Sequence, residues 1–199
     1  MTFKSYCCGL AALFAIGLSN AGATPMTFFS GDTPLAIPDA STDASGNTVP
    51  GSASSTITVT GSGRVIDINA LLDISHTWDG DLVLTLTHGG TTVMLSNRNG
   101  GSGGADYTDT LFDDSAYTAI TDGYAYAPYT GPYRPEQALS AFNDQDIGGD
   151  WTLTVTDMEE FDSGTINSWS LAAQVPEPAS LALFGLGMMG LAGSRRRRN

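Results

Sequence analysis

Residues 148–171 read GGDWTLTVTDMEEFDSGTINSWSL, and the fold turns on how this stretch is parsed. Trp151, Leu153 and Val155 alternate with Thr152, Thr154 and Thr156. A period of two sends one set to each face of a strand, apolar inward and polar outward. Asp157 to Gly164 is acidic and closes on Ser163-Gly164, the composition of a connecting loop. Ile166, Trp169 and Leu171 then resume the apolar pattern. Two antiparallel strands with tryptophans on their buried faces are expected, closing a sandwich whose other strands lie upstream.

The upstream chain carries the same signals. Ile57 and Val59 alternate with threonines, Gly61-Ser62-Gly63 turns the chain, and Val65, Ile66 and Ile68 follow. Asp79-Gly80 and Gly89-Gly90 are turn signals on either side of Leu82, Leu84 and Leu86, and Val93-Met94-Leu95 comes next. Turns at roughly ten-residue spacing mark a sandwich or barrel. Thr110–Ser115 reads as a short strand, and Leu139–Phe142 brings the chain back to the core. Residues 116–135 hold five tyrosines and three prolines and are expected as a long loop wrapping the sandwich. Residues 24–54 are small and polar, expected as an extended, irregular approach to the fold. The expected fold is all-β, an antiparallel sandwich of jelly-roll type with one core over 55–174.

Both ends read as targeting segments. Lys4, the apolar run Cys7–Leu18 and the small residues Ala21-Gly22-Ala23 form a signal peptide over 1–23, with Ala21 and Ala23 flanking the cut. Both cysteines fall inside it, so the mature chain has no disulfide, no thiolate nucleophile and no cysteine-held metal. At the other end Val175, Pro176, Glu177 and Pro178 precede an uncharged run over 179–193, then Arg195, Arg196, Arg197 and Arg198. A helix of that run spans about 22 Å against a hydrocarbon core of ~30 Å. The arginine cluster holds its end on the cytoplasmic side and identifies a short membrane anchor. The domain between the two segments must then face outward. Of the 21 acidic residues only Glu177 lies beyond Gln174, so residues 24–174 set twenty acids against Arg64, Arg98 and Arg134, a net charge of −17. Such a surface repels nucleic acid and excludes it as a partner.

The chain has only two histidines, His76 and His88, each beside a turn and neither in a protease motif; both read as structural. The acids are scattered among turns, with no paired-carboxylate cleft implied. Three acidic turns offer hard oxygen ligands for calcium: Asp79 with Asp81, Asp113 with Asp114, and Asp157 with Asp162. The alternative reading of the same residues is a solvated acidic surface. Trp78, Trp151 and Trp169 sit in strand-like pattern and are assigned to the core. Tyr117, Tyr124, Tyr126, Tyr129 and Tyr133 are assigned to an exposed surface able to stack on sugars or pack on a partner protein.

Ile74-Ser75-His76-Thr77-Trp78-Asp79-Gly80-Asp81-Leu82 resembles the signature of the P domain (Homo B), the β-sandwich that follows the catalytic domain of kexin- and furin-like proprotein convertases. Three later blocks agree in order and spacing: Thr110–Asp114, Tyr133-Arg134-Pro135 through Phe142, and Gly149-Asp150-Trp151 through Leu171. The likeness covers about Ser55 to Gln174 and implies that calcium binding is more frequent than composition alone suggests. Val-Pro-Glu-Pro with its apolar run and arginines resembles the PEP-CTERM sorting signal, which implies an exosortase-type membrane protease as partner. The resemblance also implies export across the inner membrane of a Gram-negative bacterium, then a place at the cell surface or in the medium. No subtilisin-like catalytic domain accompanies the sandwich, so no catalytic residue is assigned. Three roles follow as expectations: a matrix-binding or structural module, an accessory to a separate secreted protease, or a calcium-dependent module for exopolysaccharide.

Overall fold

The computed structural model describes residues 23–101, 104–125 and 128–176. Ala21, Tyr126, Glu177, Pro178, the run 179–193 and Arg195 to Arg198 lie outside the described residues, as does the side chain of Tyr124. Among the described residues no helix is long and apolar enough to cross a membrane.

The described residues form twelve strands: β1 (Ala23–Phe29), β2 (Leu35–Ile37), β3 (Ser41–Thr42), β4 (Thr48–Val49), β5 (Gly51–Val59), β6 (Asp67–His76), β7 (Leu82–His88), β8 (Thr91–Asn97), β9 (Tyr107–Phe112), β10 (Tyr129–Tyr133), β11 (Gly149–Asp157) and β12 (Gly164–Pro176). One sheet runs β1-β12-β6-β9-β10 with β2 added on β12, the other runs β5-β11-β7-β8, and β3 pairs with β4 alone. The period-two pattern explains both layers. Trp151, Leu153 and Val155 of β11 are buried while their threonine neighbours are half exposed. They meet Ile166, Trp169 and Leu171 of β12 and Leu72 and Ile74 of β6 in one hydrophobic core.

The two tryptophan strands do not pair with each other. β11 is central in the four-stranded sheet and β12 is central in the six-stranded one. The acidic loop between them therefore crosses the edge of the sandwich instead of making a hairpin. Sidedness belongs to the residues of a strand, but which neighbour it takes is decided by the whole core. Trp169 Nε1–H donates to Ser55 Oγ at 2.6 Å, and that hydroxyl in turn donates to Asp32. Asp32 also accepts the Thr56 N–H at 2.9 Å, so a polar chain running from buried Trp169 and Ser55 out to exposed Asp32 ties β12 to β5.

Three expectations change. The approach over residues 24–54 holds strands: β1 pairs along β12 from Ala23↔Pro176 to Phe29↔Ser170, and β2 joins the same strand. The sandwich is mixed, because β10 lies parallel to β9. The stretch expected as one long loop therefore contains β10, preceded by a 3-10 turn over Ile120–Ala125. Elsewhere the turn signals hold. Gly89 (φ 56°) and Gly90 (φ 82°) take the two left-handed positions of the hairpin between β7 and β8, where a side chain would be strained.

β6 sets the long axis. Its first residue, Asp67, pairs with Gln174, and its last, His76, pairs with Gly164. Nine strand steps separate them, about 30 Å. Both ends of the described chain, Ala23 and Pro176, sit at the Asp67 end, whereas the His76–Asp81 turn lies at the opposite pole.

Candidate functional site

The pole beyond His76 gathers Asp79, Asp81, Asp106, Asp157, Glu159 and Asp162. β6 runs out at His76, the chain turns through Thr77 and Trp78, and a 3-10 turn over Asp79–Asp81 feeds β7. His76 is buried and anchors the turn. Its Nε2 donates to Asp157 Oδ2 at 3.2 Å, and its Nδ1 meets Trp78, whose N–H at 3.2 Å and carbonyl at 2.9 Å both face it. Gly164 has to be glycine here, because a Cβ would lie 2.5 Å from His76 Cδ2 and from the Ser75 carbonyl oxygen. Asp157 also accepts the Glu159 N–H at 3.3 Å, and burial raises its carboxyl above the usual range. Asp81 is raised as well, by burial first and then by Asp157, Asp162 and Glu159. Arg98 is the cation of this pole, with Nη2 2.5 Å from Glu159 Oε1 and Nε donating to the Gly80 carbonyl at 3.3 Å.

Asp79 stands apart. It is 0% exposed, and neither carboxylate oxygen has a hydrogen-bond partner among the described residues. Burial pushes its carboxyl up to about 7, with Asp106 adding repulsion. The Asp106 N–H lies near enough to moderate the rise, although its own hydrogen bond goes to the His76 carbonyl at 3.2 Å. The neighbouring backbone approaches Asp79 closely. A Cβ on Gly100 would lie 2.7 Å from Asp79 Cβ, and the Asp79 N–H is held by the Gly104 carbonyl at 2.9 Å. The same charge raises Tyr107 and Tyr129, for both of which burial is the larger cause.

The six aspartates named from the sequence do not converge. Asp81 and Asp157 share the pole with Asp79, and Asp162 accepts from the Thr77 hydroxyl there. Asp113 and Asp114 are engaged elsewhere. Asp113 accepts the Ser115 N–H at 2.7 Å, while Asp114 caps the 3-10 turn Leu139–Phe142 through the Leu139 and Ser140 N–H groups, each at 2.8 Å. Among the described residues no group of three or more acids and histidines is arranged to hold a metal ion. The residue that sequence reasoning missed is Asp106. It precedes β9 in an unremarkable Gly-Ala-Asp-Tyr context, and only the pairing of β9 with β6 brings it beside Asp79.

The tyrosine surface also needs correction. Tyr129 and Tyr133 are buried with Tyr107, Tyr129 stacking on Tyr107 at 5.0 Å and meeting Tyr133 edge-on at 5.3 Å. Tyr117, 98% exposed, is the described member that does face solvent. Trp151 and Trp169 are core, while Trp78 at 36% exposure lies on the rim of the acidic pole. His88 stacks on Trp151 at 3.8 Å with its two ring nitrogens against the Asp150 and Asp146 carbonyl oxygens at 2.9 and 2.7 Å. That wiring commits the ring to the core.

Two facing sheets, one of them mixed, define an all-β sandwich module. The proprotein convertase P-domain profile matches residues 65–173, and the PEP-CTERM protein-sorting motif matches residues 174–198. The chain belongs to the proprotein convertase P-domain family and ends in a PEP-CTERM sorting motif. That motif marks it for export in a Gram-negative bacterium and for membrane-anchored processing by exosortase-type machinery. Among solved structures, the Aeromonas sobria serine protease (ASP) in complex with the chaperone ORF2 is 17% identical, with a TM-score of 0.46 over 78% of this chain and 27% of that one. The serine protease of Aeromonas sobria in a second crystal structure is 17% identical, with a TM-score of 0.44 over 76% and 26%. The chain thus spans about a quarter of the length of those proteins. No curated protein matches it.

Proposed function

We propose that the protein is an exported, non-catalytic module that binds or builds at the cell surface or in the extracellular matrix. It is held at the membrane by its C-terminal segment and freed by cleavage near Pro176-Glu177-Pro178. The observation that carries this reading is the polarity of the sandwich. The sorting motif leaves from the Asp67 end of β6, whereas Trp78, Asp79, Asp81, Asp157 and Asp162 gather at the other, so a tethered molecule presents that turn outward. The wiring of His76 and His88 adds support, since neither imidazole is left to act as a base.

Fractionation of the producing bacterium, with a peptide-cleavage assay on the released protein, tests the proposal. The expected result is a shortened, released form without peptidase activity of its own. Hydrolysis by the pure protein, or a full-length form dissolved in the cytosol, overturns it. Exopolysaccharide and a secreted subtilisin-like protease are the partners to test against the released form.

A calcium-dependent variant of this reading has one specific support, the orphaned carboxylate of Asp79. A buried carboxylate without a partner needs a proton or a cation. Asp79, with Asp106 beside it, would hold the ion, whose positive charge offsets the crowded acids of this pole. Asp113 and Asp114, already spent on backbone N–H groups, do not belong to such a site.

A further inference from the structure

The sorting motif begins at Gln174, yet β12 continues to Pro176, so the first residues of the motif are sheet and not linker. Gln174 is the last residue of β12 with a partner on β6. Val175 and Pro176 pair only with Thr24 and Ala23 of β1. β1 is the outermost strand of its sheet and pairs with no strand except β12. Most of its described side chains are exposed, Phe29 by 74%, and Phe28 is the residue of β1 that packs against the core.

Two details show how the end of β12 is held. The Ser30 N–H donates to the Trp169 carbonyl at 3.0 Å, just past the last β1 pair. Antiparallel alternation then directs the N–H groups of Phe28, Met26 and Thr24 toward β12 and those of odd-numbered residues toward the free edge. Pro25 falls on the outward set, where its missing N–H costs no pairing and blunts the edge against further strands. Val175 is buried against Gly63, where a Cβ would come within 2.4 Å of Val175 Cγ1.

A protease cleft engages the backbone of an extended segment, which therefore has to leave any sheet it already belongs to. We propose that β1 is a clamp on the sorting motif. Docked, it keeps Val175 in the sheet through Thr24 and withholds the chain beside Pro-Glu-Pro from the sorting protease. Undocked, it leaves Val175 with no strand partner and lets the protease take the segment. The opening needed is that of one edge strand, the kind of local transition that occurs without global unfolding. The N-terminal junction meets the C-terminal one at this point, since Ala23, the end of the signal peptide, faces Pro176. This inference rests on the sorting reading above.

The test uses the full-length chain in a bacterium that carries the exosortase-type machinery, with the ratio of precursor to processed form followed after pulse labelling. Thr27 and Ala172 are register partners with exposed side chains. The double variant Thr27→Cys/Ala172→Cys locks β1 onto β12, and Cys7 and Cys8 leave with the signal peptide. The locked protein is expected to be processed several-fold more slowly than wild type, with each single variant at the wild-type rate and reductant restoring the double variant. Gly63→Ala, which displaces Val175, is expected to be processed several-fold faster. Unchanged processing of the oxidised double variant overturns the clamp, as does equal slowing of the single variants. A wild-type chain that is never processed overturns the sorting reading instead.

Discussion

Replacing Asp79 by asparagine should invert the usual cost of changing a buried residue, and do so only above a particular pH. The folded carboxyl is raised from 3.8 to about 7 by burial and by Asp106. Between those values the folded protein holds a proton that the unfolded chain has lost. Wild-type stability from this group is therefore greatest at acid pH, falls as pH rises through that window, and levels off above about 7. Raising the carboxyl from 3.8 to about 7, at about 1.4 kcal/mol per pH unit, amounts to about 4 kcal/mol. An asparagine amide in the same dry site is left unsatisfied at a cost of about 1–2 kcal/mol. Asp79→Asn should then be more stable than wild type by about 2–3 kcal/mol at pH 8, and less stable by about 1 kcal/mol below pH 4. Urea unfolding followed by tryptophan fluorescence, with chelator present so that no cation replaces the proton, gives the comparison at each pH. The difference between the two proteins is the quantity to follow, because Asp32, Asp43 and Asp146 are lowered and titrate with the opposite sense. A difference that stays flat from pH 4 to 8 would refute the assignment of an unpartnered, buried carboxyl.

Calcium added to the chelated wild-type protein at pH 7.5 should raise its melting temperature, and Asp79→Asn should remove that response; equal melting curves with and without chelator count against a calcium site. Trp169→Phe should cost about 1–2 kcal/mol in urea unfolding, because Ser55 and Asp32 lose the indole N–H at the head of their chain. Tyr129→Ala should cost about 3–5 kcal/mol by opening the tyrosine stack. Tyr117→Ala should stay within about 0.5 kcal/mol. Similar losses for the two tyrosine variants would contradict the placement of Tyr129 in the core.

What the residues alone disclosed was local. Leu82, Leu84 and Leu86 before Gly89-Gly90 specify a strand and its hairpin turn within a dozen residues, and the structure has both. Trp151, Leu153 and Val155 likewise specify a strand and its buried face. Pairing between distant segments left no such trace. ATPMTFF has no alternation, and β1 exists because β12, far along the chain, offers it an edge. YTGPY carries a glycine and a proline that argue against a strand, yet β10 lies at the sheet edge where both are tolerated. Its tyrosines carry no signal of burial in the sequence, because alternation across a glycine and a proline is hard to distinguish from loop composition. The acids show the same limit. Asp79 and Asp81 are two residues apart in sequence, but the carboxylate that loads Asp79 is Asp106, brought there by β9.

The two ends of β6 make different demands on stability, and the fold keeps them apart. At the Asp79 pole carboxylates are packed at a cost that a proton or a cation relieves, so the tolerance of that pole for solution conditions is the price of its charge density. At the Asp67 pole the ends of β1 and β12 are held by main-chain pairing and by Val175 against Gly63, contacts that involve no titratable side chain. Between them lie about 30 Å of strand buried through Ile68, Ala70, Leu72 and Ile74. Mutations more than about 10 Å apart without shared partners act independently to within a few tenths of a kcal/mol. Asp79→Asn should accordingly leave the rate of C-terminal processing untouched while changing pH-dependent stability, and the β1–β12 lock should slow processing while leaving the pH profile in place. Coupling between the two, measured in the combined variant, would mean that β6 transmits what the separation of its ends should insulate.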